Sequence, residues 1–249
     1  MTKSLLKKFA QYAIAGLLCF HARGSASDLF IGVKPPFLWQ LDQRISYFRN
    51  EEDLERINEQ ITLKYWDGDQ LGKWGFLHVP YQFVRKDETQ HGFGDMSFGI
   101  GPRGKFSELH WFLYGGLKLP TGEAREGLGS DSFDFKLGLF STYLTENKKF
   151  EVDFSLEYLI GGEKRAGGNQ PDELLSGFLI GAKITEKIRF GTGITATVKD
   201  YDAYLLNSRA VLRYTFSPSL HTELVGDFGL ESKDLSKGMG IGLFLRYNF

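Results

Sequence analysis

Cysteine is almost missing from this chain: Cys19 is the only one in 249 residues. Nothing after it can form a disulfide, even in a compartment that permits them. Leu18 stands before Cys19 where a lipoprotein signal wants Gly, Ala or Ser, which argues against lipid attachment there. A basic surplus is missing too: 30 Lys and Arg stand against 31 Asp and Glu, so nucleic acid is not an expected partner. No stretch after the first residues is apolar for long enough to cross a membrane as a helix, which takes about 20 residues. Neither an internal repeat of fixed period nor a domain boundary stands out. No His, Asp or Glu cluster has metal-ligand spacing, and no cofactor is expected.

The chain opens as a secretion signal. Lys3, Lys7 and Lys8 form a positive start, Phe9 to Phe20 a short apolar run, and Gly24-Ser25-Ala26 a small-residue cleavage site. Residues 1–26 are therefore read as a signal peptide cleaved after Ala26, and 27–249 as one domain. The removed part holds four basic groups and no acidic one, so cleavage takes the formal charge from −1 to −5. Pro35-Pro36 interrupts any regular element in 27–40, which reads as an irregular periplasmic lead-in or a short segment packed into a barrel mouth.

What the chain does have is glycine, aromatics and a period of two. Gly numbers 30 and aromatics make up 15%, yet mean hydropathy is negative. At the C-terminus Met239, Ile241, Leu243, Leu245, Tyr247 and Phe249 alternate with Gly240, Gly242, Phe244, Arg246 and Asn248. One face of such a strand is apolar and ends in aromatics; the other is small or polar. Phe150, Val152, Phe154, Leu156, Tyr158 and Ile160 alternate with Glu151, Asp153, Ser155 and Glu157 in the same way. From Trp74 to Phe83 both faces are apolar and the register is weak. A membrane protein whose hydrophobicity is hidden from composition has to be a β-barrel, because only alternating strands hide it.

The expected fold is thus all-β: a transmembrane antiparallel barrel of about 12 strands, with ten or fourteen as bounds, in the outer membrane of a Gram-negative cell, both termini periplasmic. Counted back from Phe249, long and short connections alternate, as when long loops face outside and tight turns the periplasm. Asp67–Lys73 is longer than that rule wants. Asn50–Glu59 reads as an exposed acidic loop and Arg85–Gly92 as a charged one. The partners implied are outer-membrane lipid, a small-molecule solute, and the barrel-assembly machinery, through the C-terminal strand ending in Phe249.

No catalytic constellation appears. Barrel lipid-modifying enzymes need a His close to a Ser, and none of His78, His91, His110 or His221 has Ser two residues on. Gly92-Phe93-Gly94 lacks the helix and the Lys-Ser/Thr of a nucleotide loop. The interior-facing charges are the informative set. Parity places Lys118, Lys136, Lys183, Arg189, Lys199, Arg209, Arg213 and Arg246 inside, with Asp95, Asp134, Glu151, Asp153, Glu157, Glu223 and Asp227. They either line a water path or neutralise one another and plug it. Acids gather on Glu151–Glu157 and bases on Arg189–Arg213; facing across the lumen they would orient dipolar solutes, and interlocked they would close it.

Two stretches carry a family resemblance: Gly92-Phe93-Gly94-Asp95-Met96-Ser97-Phe98-Gly99, and Gly115-Gly116-Leu117-Lys118-Leu119-Pro120-Thr121-Gly122-Glu123. Over about 60–249 the chain resembles the outer-membrane transporter family of the meta pathway of phenol degradation. The resemblance implies a barrel with small apolar or aromatic cargo. It carries over Pro120, Thr121 and Gly122 as a structural turn, where Pro ends the strand's pairing and Gly allows the positive φ of a tight turn. The expected function is an outer-membrane channel for small solutes by passive diffusion. The alternatives are a non-conducting structural or partner-binding barrel, and a lipid-modifying barrel enzyme.

Overall fold

The computed structural model describes Pro35 and residues 38–249, apart from 52–53, 86–88, 125–127 and 165–166. The expected signal peptide, and the expected lead-in apart from Pro35 and residues 38–40, lie outside the described residues. The strands are β1 (Trp39–Asn50), β2 (Glu55–Trp66), β3 (Leu71–Arg85), β4 (Thr89–Phe93), β5 (Ser97–Phe106), β6 (Leu109–Lys118), β7 (Asp134–Leu144), β8 (Phe150–Ile160), β9 (Glu173–Lys183), β10 (Ile188–Lys199), β11 (Ala203–Ser217), β12 (Leu220–Lys233) and β13 (Gly238–Asn248).

Apart from β4 and β5, which do not pair with each other, strands adjacent in sequence pair antiparallel, and β1 pairs with β13, so the sheet closes. β4 and β5 both pair with β3, through Tyr81↔Phe93 and His78↔Ser97, and together form one stave. The 13 strands therefore make a 12-stave barrel. The register slips by one residue between those two ladders, a bulge at Gly94–Met96. Pro80 stands opposite the slip and has no N–H to donate, so the irregularity leaves no donor of Pro80 stranded.

Period-two patterning sets the orientation of the wall. Leu41, Ile45, Ile61, Leu113, Leu137, Ile180, Leu212 and Leu243 are exposed outward while their chain neighbours are buried or half-buried. Trp39 and Tyr65 touch at 5.0 Å between ring centroids, and Tyr247 stacks on Phe249 at 5.8 Å, forming an aromatic girdle at one end. A bilayer requires this outer surface.

Three sequence expectations need correction. Glu55–Glu59 belongs to β2, not to a loop, because Arg56 and Asn58 turn inward and are buried. Charge inside a barrel makes a strand look like a loop by composition. Thr89–Gly92 likewise belongs to β4, and Lys73 to β3. The strict alternation of connection lengths also fails: only 119–133 and 161–172 are long, whereas 200–202 and 234–237 are as short as the turns opposite. β11 and β12 consume that length by extending to Ala203 and Lys233.

Candidate functional site: the barrel interior

Parity and closure decide which side chains meet inside. Lys118, Lys136, Glu151, Asp153, Glu157, Arg189, Arg213 and Glu223 are buried; Lys183, Arg209, Asp227 and Arg246 are half-buried. Most are joined to the neighbouring stave. Arg209 grips Asp227 with two hydrogen bonds, 2.7 and 2.9 Å, straight across the β11–β12 ladder. Arg213 pairs with Glu223 one turn of the pleat further along. Arg246 holds Asp42 at 2.8 Å and lies 3.7 Å from Glu223, and Lys64 meets Asp42 at 2.8 Å. Lys199 meets Glu173 at 3.2 Å, and Lys136 lies 4.0 Å from Glu157. Thr142 donates to Asp153. Lys183 instead turns to Glu186 in the turn beyond its strand, at 2.6 Å.

The acids of β8 and the bases of β10 do not face each other across the lumen. Only β9 separates them, and Arg189 Nη1 reaches Glu151 Oε2 at 3.1 Å. Glycine makes the reach feasible: Gly181 is the β9 residue opposite Glu151, and it presents no side chain. The charges interlock along the wall instead of setting up a transverse field.

The interior also holds rings that the charge-based reading passed over. Trp66, Trp74, Phe112, Tyr114 and Phe140 are buried together, with Phe76 packed against them. Phe112 is central: 4.1 Å from Trp74, 4.8 Å from Phe140 and 5.6 Å from Trp66. The polar edges are satisfied, Trp74 Nε1 donating to the Leu113 carbonyl at 2.8 Å and Trp66 Nε1 to Gln40 at 3.1 Å. Tyr114 donates to Glu157. Elsewhere in the interior Leu179, Val211, Val225 and Phe244 form a second apolar cluster, with the Arg44 guanidinium 4.5 Å above the Phe244 ring. The signal was legible in parity: Trp74, Phe76 and Gln82 share a face, and Gln82 is buried inside.

Glycines give these rings their room. A Cβ at Gly99 would lie 2.6 Å from Phe76 and 2.8 Å from Tyr114, and one at Gly138 would overlap the Tyr114 ring. Gly138→Val should therefore lift Tyr114 off the wall and break its bond to Glu157. The expected loss is about 1–3 kcal/mol, the usual cost of overpacking, read as a lower urea midpoint with unchanged slope. An unchanged midpoint would contradict this packing.

The two motifs of the family resemblance meet at the β4–β5 bulge. Asp95 Oδ1 accepts from Gly122 N at 3.0 Å, and Oδ2 accepts from the backbone and hydroxyl of Ser130, both at 2.7 Å. Thr121 Oγ1 accepts from Met96 N at 2.8 Å and donates to the Gly94 carbonyl at 3.0 Å. Lys118 lies between Asp95, at 3.6 Å, and Asp134. Here the β5–β6 ladder has ended, and side chains satisfy the backbone groups it leaves. Pro120, Thr121 and Gly122 are thus part of a splice, with Thr121 and Gly122 bound to the bulge; Gly122 does not take the expected positive φ, and glycine is needed there because a Cβ would lie 2.5 Å from the Leu128 carbonyl oxygen. The same connection puts Leu128 in a buried cluster with Leu54 and Val84.

The family model described as "Putative MetA-pathway of phenol degradation" matches residues 35–247. No protein of curated function matches the chain. Among solved structures, an outer membrane channel from Pseudomonas putida F1 aligns with a TM-score of 0.72 at 14% identity, over 90% of this chain and 100% of that one. The NanC porin aligns at 0.54 and 14%, over 84% and 100%. The CymD monoaromatic hydrocarbon channel aligns at 0.51 and 9%, over 87% and 89%. At these identities the likeness is one of fold.

Proposed function

The chain belongs to the family of that model, and from this premise we propose that it is an outer-membrane channel for small apolar or aromatic solutes, which cross by passive diffusion. One observation carries the reading: the aromatic cluster of β2, β3, β6 and β7 lies inside the barrel, where a channel for ions alone would need only polar groups. An aromatic solute that parts these buried rings would gain ring contacts there, while the half-buried pair Arg209–Asp227, on staves across the barrel from the cluster, keeps the facing wall polar. The fold likeness to outer-membrane channels, one of them described as a monoaromatic hydrocarbon channel, supports the same reading. β13 would be the strand read by the assembly machinery. It is also the closing strand, with Phe249 N donating to the Trp39 carbonyl at 2.9 Å.

The lumen charges are proposed as the polar side of the path. Arg209→Gln, which removes one cation beside Asp227, should move ion selectivity toward cations, read as a changed reversal potential in a salt gradient. Asp227→Asn should move it the other way. Unchanged potentials in both variants would remove Arg209 and Asp227 from the path. The interlocked ion pairs favour a second reading, a non-conducting barrel whose interior is filled. Bilayer conductance separates the two.

A further inference from the structure

The outward face of β1 and β2 carries a polar pair in an apolar field. Gln43 Nε2 donates to Glu59 Oε1 at 3.0 Å, a diagonal contact between neighbouring staves. Their ladder partners are Leu245 and Ile61 for Gln43, and Ile45 and Tyr81 for Glu59. A barrel strand rises about 3.3 Å per residue and leans about 40°, so each residue gains about 2.5 Å along the membrane normal. Counted from the girdle at Trp39 and Tyr65, Gln43 and Glu59 sit about 10 to 15 Å into an apolar band about 25 Å tall. Glu55, by contrast, is bonded to Tyr47 and paired with Arg85 at the far rim, as an interfacial acid should be.

Neither Gln43 nor Glu59 has a further partner among the described residues. The second amide hydrogen, the amide oxygen and one carboxyl oxygen therefore face hydrocarbon, which offers no donor or acceptor. Lipid headgroups lie too far away along the normal to serve. A second Gln–Glu pair of the same geometry would serve, because each pair holds a spare donor and a spare acceptor. Related by a two-fold axis, each Gln43 can donate to the other copy's Glu59, and the contact is self-complementary.

We propose that the β1–β2 face seats a second copy of this chain, joined in the membrane by reciprocal Gln43–Glu59 hydrogen bonds. The proposal rests on the barrel spanning a bilayer, not on what it conducts. Ile45 is the ladder partner of Glu59 and lies two residues from Gln43, so it falls beside the axis. Leu137 on β7 is equally exposed on a different face. In the full-length chain carrying Cys19→Ser, Ile45→Cys should cross-link to itself in isolated outer membranes under mild oxidation, and Leu137→Cys should not. Purified protein in detergent should sediment as a dimer, and Gln43→Leu with Glu59→Leu should sediment as a monomer. Heat-dependent gel mobility shows that each variant is folded. A monomeric parent protein, a dimer that survives the double substitution, or cross-links that are equal at both positions or that join a different protein would overturn the proposal.

Discussion

Asp95→Ala should unpin the 119–133 connection and destabilise the barrel more than any other single polar substitution named above. The carboxylate accepts from Gly122 N, Ser130 N and Ser130 Oγ, and faces Lys118. Removing it leaves three donors unmatched in a half-buried place. Lys118 keeps its pair with Asp134, so the cost lies in the unmatched donors, about 1–3 kcal/mol for each that stays buried. Two readouts should move together. The urea midpoint should fall, and trypsin should cut after Arg125 faster than in the parent, because Gly122 and Ser130 bracket that site. Asp95→Asn keeps the shape but replaces an acceptor oxygen with a donor, so it should fall between the two. If neither readout moves in Asp95→Ala, the carboxylate does not hold the loop.

Phe112→Ala should be the costliest apolar change. The ring touches Trp66, Trp74 and Phe140, and its removal leaves a cavity that rigid rings cannot collapse into. A loss of about 3–5 kcal/mol is expected for a buried aromatic. The same substitution should weaken block by small aromatic solutes, since the cluster is their proposed station. Leu113→Ala is the control: Leu113 is the next residue, exposed on the outer face, and should leave block unchanged. Equal effects on block at both positions would contradict the inward placement of the cluster as the solute path.

Much of the wall was legible in the sequence because a barrel writes its orientation in parity. β8 is bounded by Phe150 and Ile160, where its alternation begins and ends. β2 was harder. Arg56 and Asn58 fill the inward positions of its first half, so an amphipathic strand was read there as an acidic loop. β4 was hidden because the bulge at Gly94–Met96 breaks the register that continues into β5. The interior was read as charged because charges are conspicuous, and the aromatic cluster was missed although Phe112 and Tyr114 stood on the same face as Lys118. Parity gives the face of a residue but not its partner. That Arg189 reaches Glu151 past Gly181 depends on strand order and register together. The Asp95 splice joins residues 25 to 35 positions apart and needed the closed sheet to appear.

Single-channel recording of the refolded chain in a planar bilayer tests the central claim most directly, with an apolar aromatic solute and a small aromatic acid added in turn. The account predicts discrete conductance steps that aromatic solutes block, with block weakened in Phe112→Ala. A silent bilayer, from protein shown to be folded by its β-sheet circular dichroism and heat-dependent mobility, would contradict it and make the filled, non-conducting barrel the correct reading.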